Sequence, residues 1–137
     1  MMSQKSGLTH ALECLNRLQF PSDLTFGRGG DEIAAAVRPA SREPDQSYQS
    51  RIWRYSLDGT ATQLTYGPNG DYSPRFSPVD DRLAFASDRT TIGKADLFIL
   101  DDGAVRPLGD IPGTIEDIRW TSDGASLIVL AADRGLD

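Results

Sequence analysis

The sequence is poor in the residues that most enzymes use for chemistry, with one histidine, His10, and one cysteine, Cys14. A single cysteine excludes an internal disulfide. His10 and Cys14 sit four residues apart on one face of a predicted helix, but two ligands are too few for a stable metal site. No further His or Cys exists to complete one. The Gly-x-Ser-x-Gly elbow is missing as well, so a serine nucleophile and its histidine base cannot be assembled from this chain. No catalytic, cofactor-binding or metal-binding residue is therefore expected, and no cofactor. Positive charge is scarce: 14 Lys and Arg stand against 20 Asp and Glu, a formal charge of −6 spread along the chain, which leaves no electrostatic footprint for nucleic acid. Long apolar runs are absent too. The longest, Leu127 to Ala132, is far too short to span a bilayer. Glu13 and Arg17 interrupt the opening residues where a signal peptide needs an unbroken apolar core. The expectation is a cytoplasmic protein without a membrane partner.

What the sequence does have is an internal repeat. The run Ser73-Pro-Arg-Phe-Ser-Pro-Val-Asp-Asp-Arg-Leu-Ala-Phe-Ala-Ser-Asp-Arg89 returns from Asp117 to Arg134, with Arg75, Phe76 and Leu83 falling on Arg119, Trp120 and Leu127 at a constant offset of 44. A fainter copy lies upstream, where Phe26, Asp31, Ile33 and Ala34 match Phe76, Asp81, Leu83 and Ala84 at an offset of 50. A second repeated element intervenes: Ile52-Trp-Arg-Tyr-Ser-Leu-Asp-Gly59 corresponds to Leu97-Phe-Ile-Leu-Asp-Asp-Gly103, each followed by a short strand ending at Leu64-Thr65 or Leu108-Gly109. Each unit thus holds four runs rich in β-branched, aromatic and leucine residues. Turn signals such as Asp58-Gly59, Asp102-Gly103 and Asp123-Gly124 separate them and supply the positive φ a tight hairpin needs.

A period near 44 with four strands per period fits a β-propeller blade, whereas helical repeats of that length require a 3.6-residue periodicity not found here. The sequence predicts an all-β fold, an incomplete β-propeller of about two and a half four-stranded antiparallel blades preceded by a short helix. Residues 1–21 form the N-terminal segment, with an amphipathic helix over 8–19 that Ser6 or Thr9 could cap. Blade 1 is expected at 22–66, blade 2 at 71–110, and the first half of blade 3 at 114–137. The 50-residue offset reflects an insertion in blade 1, where Arg38 to Ser50 is polar, holds two prolines and shows no strand pattern. A propeller closes as a ring because each blade buries its faces only against neighbours, so the chain reads as truncated mid-blade.

Several local features could suggest chemistry. Gly27-Arg-Gly-Gly30 could be taken for a phosphate-cradling loop, but it leads into a strand rather than a helix and reads as a hairpin turn. The paired carboxylates Asp80-Asp81, Asp101-Asp102 and Glu116-Asp117 fall at turns and strand starts, where short acidic side chains bond local backbone. Asp88-Arg89 and Asp133-Arg134 recur at the end of the second strand; such a pair could clamp a loop to a neighbouring blade or face a substrate channel, and recurrence favours architecture. Trp53, Tyr55, Phe76, Phe85, Phe98 and Trp120 occupy alternating strand positions and are expected in the core between blades.

The motif at 73–89 resembles the repeat of the bacterial prolyl oligopeptidase (S9) superfamily, especially its acylaminoacyl-peptidase and dipeptidyl-peptidase-like branch, whose consensus runs Ser-Pro-x-Trp-Ser-Pro-Asp-Gly. Phe76 replaces the usual Trp, and Val79-Asp80-Asp81 the usual Asp-Gly turn. Blade 3 keeps Trp120 and Asp123-Gly124 but loses the Pro. Gln63-Leu64-Thr65 and the stretch Phe20-Pro-Ser-Asp-Leu-Thr-Phe26 are also similar to that branch, so the resemblance covers roughly 8–135. Related WD40-like (PD40) repeats build the propeller of the TolB protein. The peptidase resemblance implies a propeller covering an α/β-hydrolase domain and restricting access of large peptides to a Ser-Asp-His triad. It implies as partners the missing hydrolase domain, the remaining blades and the peptide substrates of the parent. The alternative is a TolB-like binding propeller without hydrolase activity. A third possibility is a freestanding chain that assembles by edge pairing.

Overall fold

A computed structural model describes residues 3–40 and 49–133 of the chain. One helix, α1 (Ser3–Asn16), opens the fold. It begins and ends earlier than the predicted 8–19, and Ser6 and Thr9 lie inside it rather than at its cap. The reason is tertiary: strand β1 (Gln19–Phe26) pairs with β2 (Glu32–Pro39) from Gln19↔Pro39 and Phe20↔Arg38 onward, and ladder bonds outweigh helical spacing at Leu18 and Gln19. Leu8 and Leu12 remain largely exposed. No helix among the described residues is long and apolar enough to cross a membrane.

Three antiparallel sheets follow. Sheet 1 is β1, β2, β3 (Arg51–Ser56) and β4 (Ala61–Gln63), in that order. Sheet 2 is β5 (Asp71–Phe76), β6 (Leu83–Thr91), β7 (Lys94–Asp101) and β8 (Ala104–Gly109), again in sequence order. Sheet 3 is the single hairpin β9 (Thr114–Trp120) and β10 (Leu127–Ala132). Strand β1 starts at Gln19, ahead of the expected start of the first blade at 22. Most of the expected Arg38–Ser50 loop lies outside the described residues, but Arg38 and Pro39 belong to β2.

The first strands of successive sheets are neighbours, β1 beside β5 and β5 beside β9, so the sheets stack face to face in the manner of consecutive propeller blades. Each inner strand is bulged. The irregularity in β1 centres on Asp23 (φ 54°) and that in β5 on Ser73 (φ 50°), positions related by the repeat offset of 50.

Strand alternation sends the two faces of sheet 2 to different neighbours. Leu83, Phe85 and Phe98 pack with Ala34 and Ile52 of sheet 1. Ala84, Ala86, Leu97 and Ile99 pack with Ile118, Trp120, Leu127 and Val129 of sheet 3. Small residues on the second strand of one sheet let bulky ones of the next approach, as Ala34 does for Phe85 and Ala84 does for Ile118. This is why β2 and β6 are rich in alanine. Phe85, Phe98 and Phe76 therefore lie between blades, as does Trp120. Trp53 and Tyr55 lie on the other face of sheet 1. Both are half-buried and share with Ile33 and Phe26 the face of sheet 1 that points away from sheet 2, because Ala35↔Trp53 and Ile33↔Tyr55 have the opposite parity to Ala34 and Ile52.

Candidate functional site

Several of the polar side chains that the fold brings together lie where one blade meets the next, at both ends of the sheets. At the end where β5 starts, Asp71 is fully buried and accepts from Arg89 Nη2 at 2.7 Å. Its second oxygen faces Arg51 Nη1 at 3.9 Å. Arg51 comes from β3 of the preceding sheet and also donates to the carbonyls of Gly67 and Asn69 in the linker between sheets. Arg89 lies over the rings of Phe85 and Phe98, 5.2 Å from each centroid, and its Nε donates to Ser87 Oγ at 3.1 Å. Asp88, also buried, accepts from the Gly70 N–H at 2.7 Å and the Gly93 N–H at 3.0 Å, while Asn69 Nδ2 donates to its carbonyl at 2.9 Å. Parity explains the assembly, since Asp71 pairs with Ser87 on the face of sheet 2 that looks at sheet 1. Of the two readings of Asp88-Arg89, clamp or channel wall, the geometry selects the clamp. Asp133 is exposed, and Arg134 lies outside the described residues.

At the opposite end, arginines cross between turns. Arg28 Nη1 donates to Val79 O at 3.0 Å, tying the first turn of sheet 1 to that of sheet 2. Arg82 repeats the device one blade on: Nη2 donates to Gly124 O at 2.8 Å, Nε bonds both oxygens of Asp80, and the guanidinium lies 4.9 Å from the Trp120 ring. Trp120 Nε1 in turn donates to Arg75 O at 2.9 Å, and Arg75 Nη2 reaches Asp117 Oδ1 at 3.0 Å. Gly124, at φ +68°, fits this contact because a Cβ there would meet Val79 Cγ2 at 2.3 Å.

The turn carboxylates take the local role expected of them. Asp80 is held at a pKa of about 2 by its side-chain bond to Arg82 and the Arg82 backbone N–H. Asp117 is lowered by Arg119 first and then by Arg75, against opposing desolvation. A carboxylate depressed in the folded chain stabilises it above its ordinary value, and that contribution disappears as the pH falls through the folded value. The melting temperature is therefore expected to fall between pH 3.8 and about 2 for the Asp80 contribution. Thermal melts across that window check it, and Asp80→Asn should flatten the slope.

The remaining candidates stay apart. Gly27 and Gly30 form the β1–β2 turn, with the Gly27 N–H bonded to Glu32 O at 2.9 Å and the Gly30 N–H to Gly27 O at 3.0 Å. Cys14 Sγ lies 3.7 Å from His10 Nε2 on the exposed helix. Among the described residues, no group of three or more His, Cys, Asp or Glu side chains is placed to hold a metal. Sequence reasoning passed over Arg28, Arg51 and Arg82. Their only signal is position, each flanking a turn or a strand start, and an isolated arginine there looks like any solvated surface residue.

No family model matches the sequence. Among curated proteins, an uncharacterized peptidase of Bacillus subtilis, YuxL, is 36% identical over 99 residues, which is 70% of this chain and 15% of that protein. The chain therefore spans only a small part of the length of this relative. Among solved structures, an acylaminoacyl peptidase of Pyrococcus horikoshii superposes with a TM-score of 0.70 at 20% identity, over 90% of this chain and 19% of that one. The β-propeller domain of the trilobed protease of Pyrococcus furiosus gives 0.62 at 16% identity, covering 84% and 35%. TolB of Acinetobacter baumannii gives 0.64 at 17%, covering 82% and 27%. These likenesses establish the β-propeller fold.

Proposed function

We infer from a chain that is a β-propeller segment of the S9 peptidase type that its part is packing and access control, with hydrolysis carried out by an α/β-hydrolase domain elsewhere in a longer polypeptide. The observation that carries this reading is the match to a peptidase at 36% identity, in a chain where Arg51, Arg28 and Arg82 each reach from one blade to the next. A propeller over a hydrolase pocket excludes substrates by size, and this requires stiff contacts between blades. The buried Arg51–Asp71–Arg89 clamp and the Arg28 and Arg82 crossings supply that stiffness at both ends of the sheets. Peptides are the substrate class this reading assigns to the parent, and a serine the nucleophile.

The likeness to TolB favours a second reading, a binding propeller without hydrolase activity. The two are separated by the reading frame beyond codon 137 and by activity-based labelling of its product. A Gly-x-Ser-x-Gly followed by Asp and His, with one serine labelled by a fluorophosphonate, is the expected result. In such an enzyme Arg82→Ala should raise hydrolysis of long peptides relative to short ones. A frame that ends in further blades with no elbow and no labelled serine overturns the peptidase reading and leaves the binding propeller.

A further inference from the structure

A groove of about 490 Å³ opens between sheets 1 and 2, at the end where the β5–β6 and β7–β8 turns lie. Both sheets have their four strands, so no further strand of either blade belongs in it. Its floor is the margin of the core between them, formed by Leu64, Phe76, Leu83 and Leu100. The two walls carry opposite charge. Sheet 1 supplies Arg54, which pairs with Ala34 and so lies on the face toward sheet 2. Sheet 2 supplies Asp81 from its first turn and Asp102 from its last.

The fold makes little use of these charges. Arg54 Nε faces Glu32 Oε2 at 3.8 Å, and its two Nη groups have no partner among the described residues. Asp81 faces only Arg28, at 3.6 Å with both side chains more than half exposed. The Asp102 carboxylate has no partner among the described residues. Nor does the repeat call for them. Leu64, Phe76 and Leu83 return at the next joint as Leu108, Trp120 and Leu127, so the apolar floor is architectural. Arg54 and Asp81 do not return, since the same repeat puts Ile99 and Ala125 in their places. The charged walls are therefore particular to the joint between blades 1 and 2.

We propose that this groove binds a short free peptide with apolar side chains, its C-terminal carboxylate on Arg54 and its N-terminal ammonium on Asp102 and Asp81. Charge complementarity selects this ligand, because a groove with a guanidinium on one wall and carboxylates on the other suits a zwitterion better than an ion of either sign. Size agrees. Packed sheets lie about 10 Å apart, and a dipeptide spans about 7 Å when extended, so its two termini reach side chains projecting from both walls. The volume falls within the range of small-molecule sites, and the apolar floor takes the peptide's own side chains. Arginine offers the carboxylate a forked, charge-assisted pair of hydrogen bonds. Short free peptides are also what a parent peptidase releases, but the site rests on the groove alone and stands if the peptidase reading fails.

The test is titration of the dipeptide Leu-Leu, as the free zwitterion, into the full chain, followed by backbone amide NMR shifts. Saturable binding is expected, with shifts at Arg54, Leu64 and residues 100–103. Leu-Leu capped by acetyl and amide groups lacks both charges and should bind about tenfold more weakly or worse. The free dipeptide should lose as much on the Arg54→Gln chain and on the chain carrying Asp81→Asn with Asp102→Asn. Thermal melts of these variants show that the fold survives, and the capped dipeptide needs no variant at all. Lack of saturable binding overturns the proposal. So does equal binding of the capped dipeptide, undiminished binding by the variants, or shifts confined to the Phe26–Tyr55 face of sheet 1.

Discussion

Replacing Asp71 by alanine is expected to cost the chain about 3–5 kcal/mol, the range for removing one partner of a buried charge pair. The carboxylate is fully buried, and Arg89 and Arg51 both turn toward it with side chains that are themselves mostly enclosed. Removing it leaves two guanidinium groups facing each other across the joint between sheets 1 and 2. Set against a domain stability of about 5–15 kcal/mol, that loss takes a large share of the total. Urea unfolding followed by circular dichroism measures it. Arg89→Met alone should cost less than Asp71→Ala, because Arg51 still faces the carboxylate. The paired change Asp71→Leu with Arg89→Met should recover part of the loss, since apolar groups of similar size often replace a buried ion pair without penalty. A loss below about 1 kcal/mol would place the network with exposed surface ion pairs and remove it as the joint between blades.

The sheets were legible in the sequence because the repeat and the two-residue alternation carry the same information twice. Phe76, Leu83 and Leu100 were separable from Ala84 and Ile99 by parity alone, and the pairs Leu83↔Leu100 and Ala84↔Ile99 follow from it. The helix was misplaced because Leu8, Leu12, Leu15 and Leu18 keep a helical spacing past the point where strand pairing takes over. That Trp53 and Tyr55 share a face was legible, but not that it is the face of sheet 1 turned away from sheet 2. Alternation says that two faces exist, and only the stacking order assigns them. The inter-blade arginines were hidden for a related reason. Arg51 becomes a clamp through a buried aspartate twenty positions downstream, and no local pattern announces a partner across a linker. Asp88-Arg89 could be flagged because it recurs, yet its choice between clamp and channel wall required Gly67, Asn69 and Gly70 to be placed around it.

Phe85→Ala is expected to cost about 3–5 kcal/mol, the range for truncating a buried phenylalanine. The ring is fully buried between sheets 1 and 2 and stacks on Phe98, its cross-strand partner, with centroids 5.9 Å apart. Phe76→Ala should cost less, because Phe76 is only half-buried at the margin of the same cluster. The informative measurement is the combination with Asp71→Ala. Arg89 is held from one side by Asp71 and rests on the Phe85 and Phe98 rings from the other, so both substitutions release the same side chain. Costs of groups that share a partner do not add, and the double variant should fall short of the summed single losses by about 0.5–3 kcal/mol. Additive losses would mean that the salt bridge and the aromatic stack hold the blades independently. Sub-additivity would make Arg89 the common element through which the polar clamp and the apolar interface set the angle between blades.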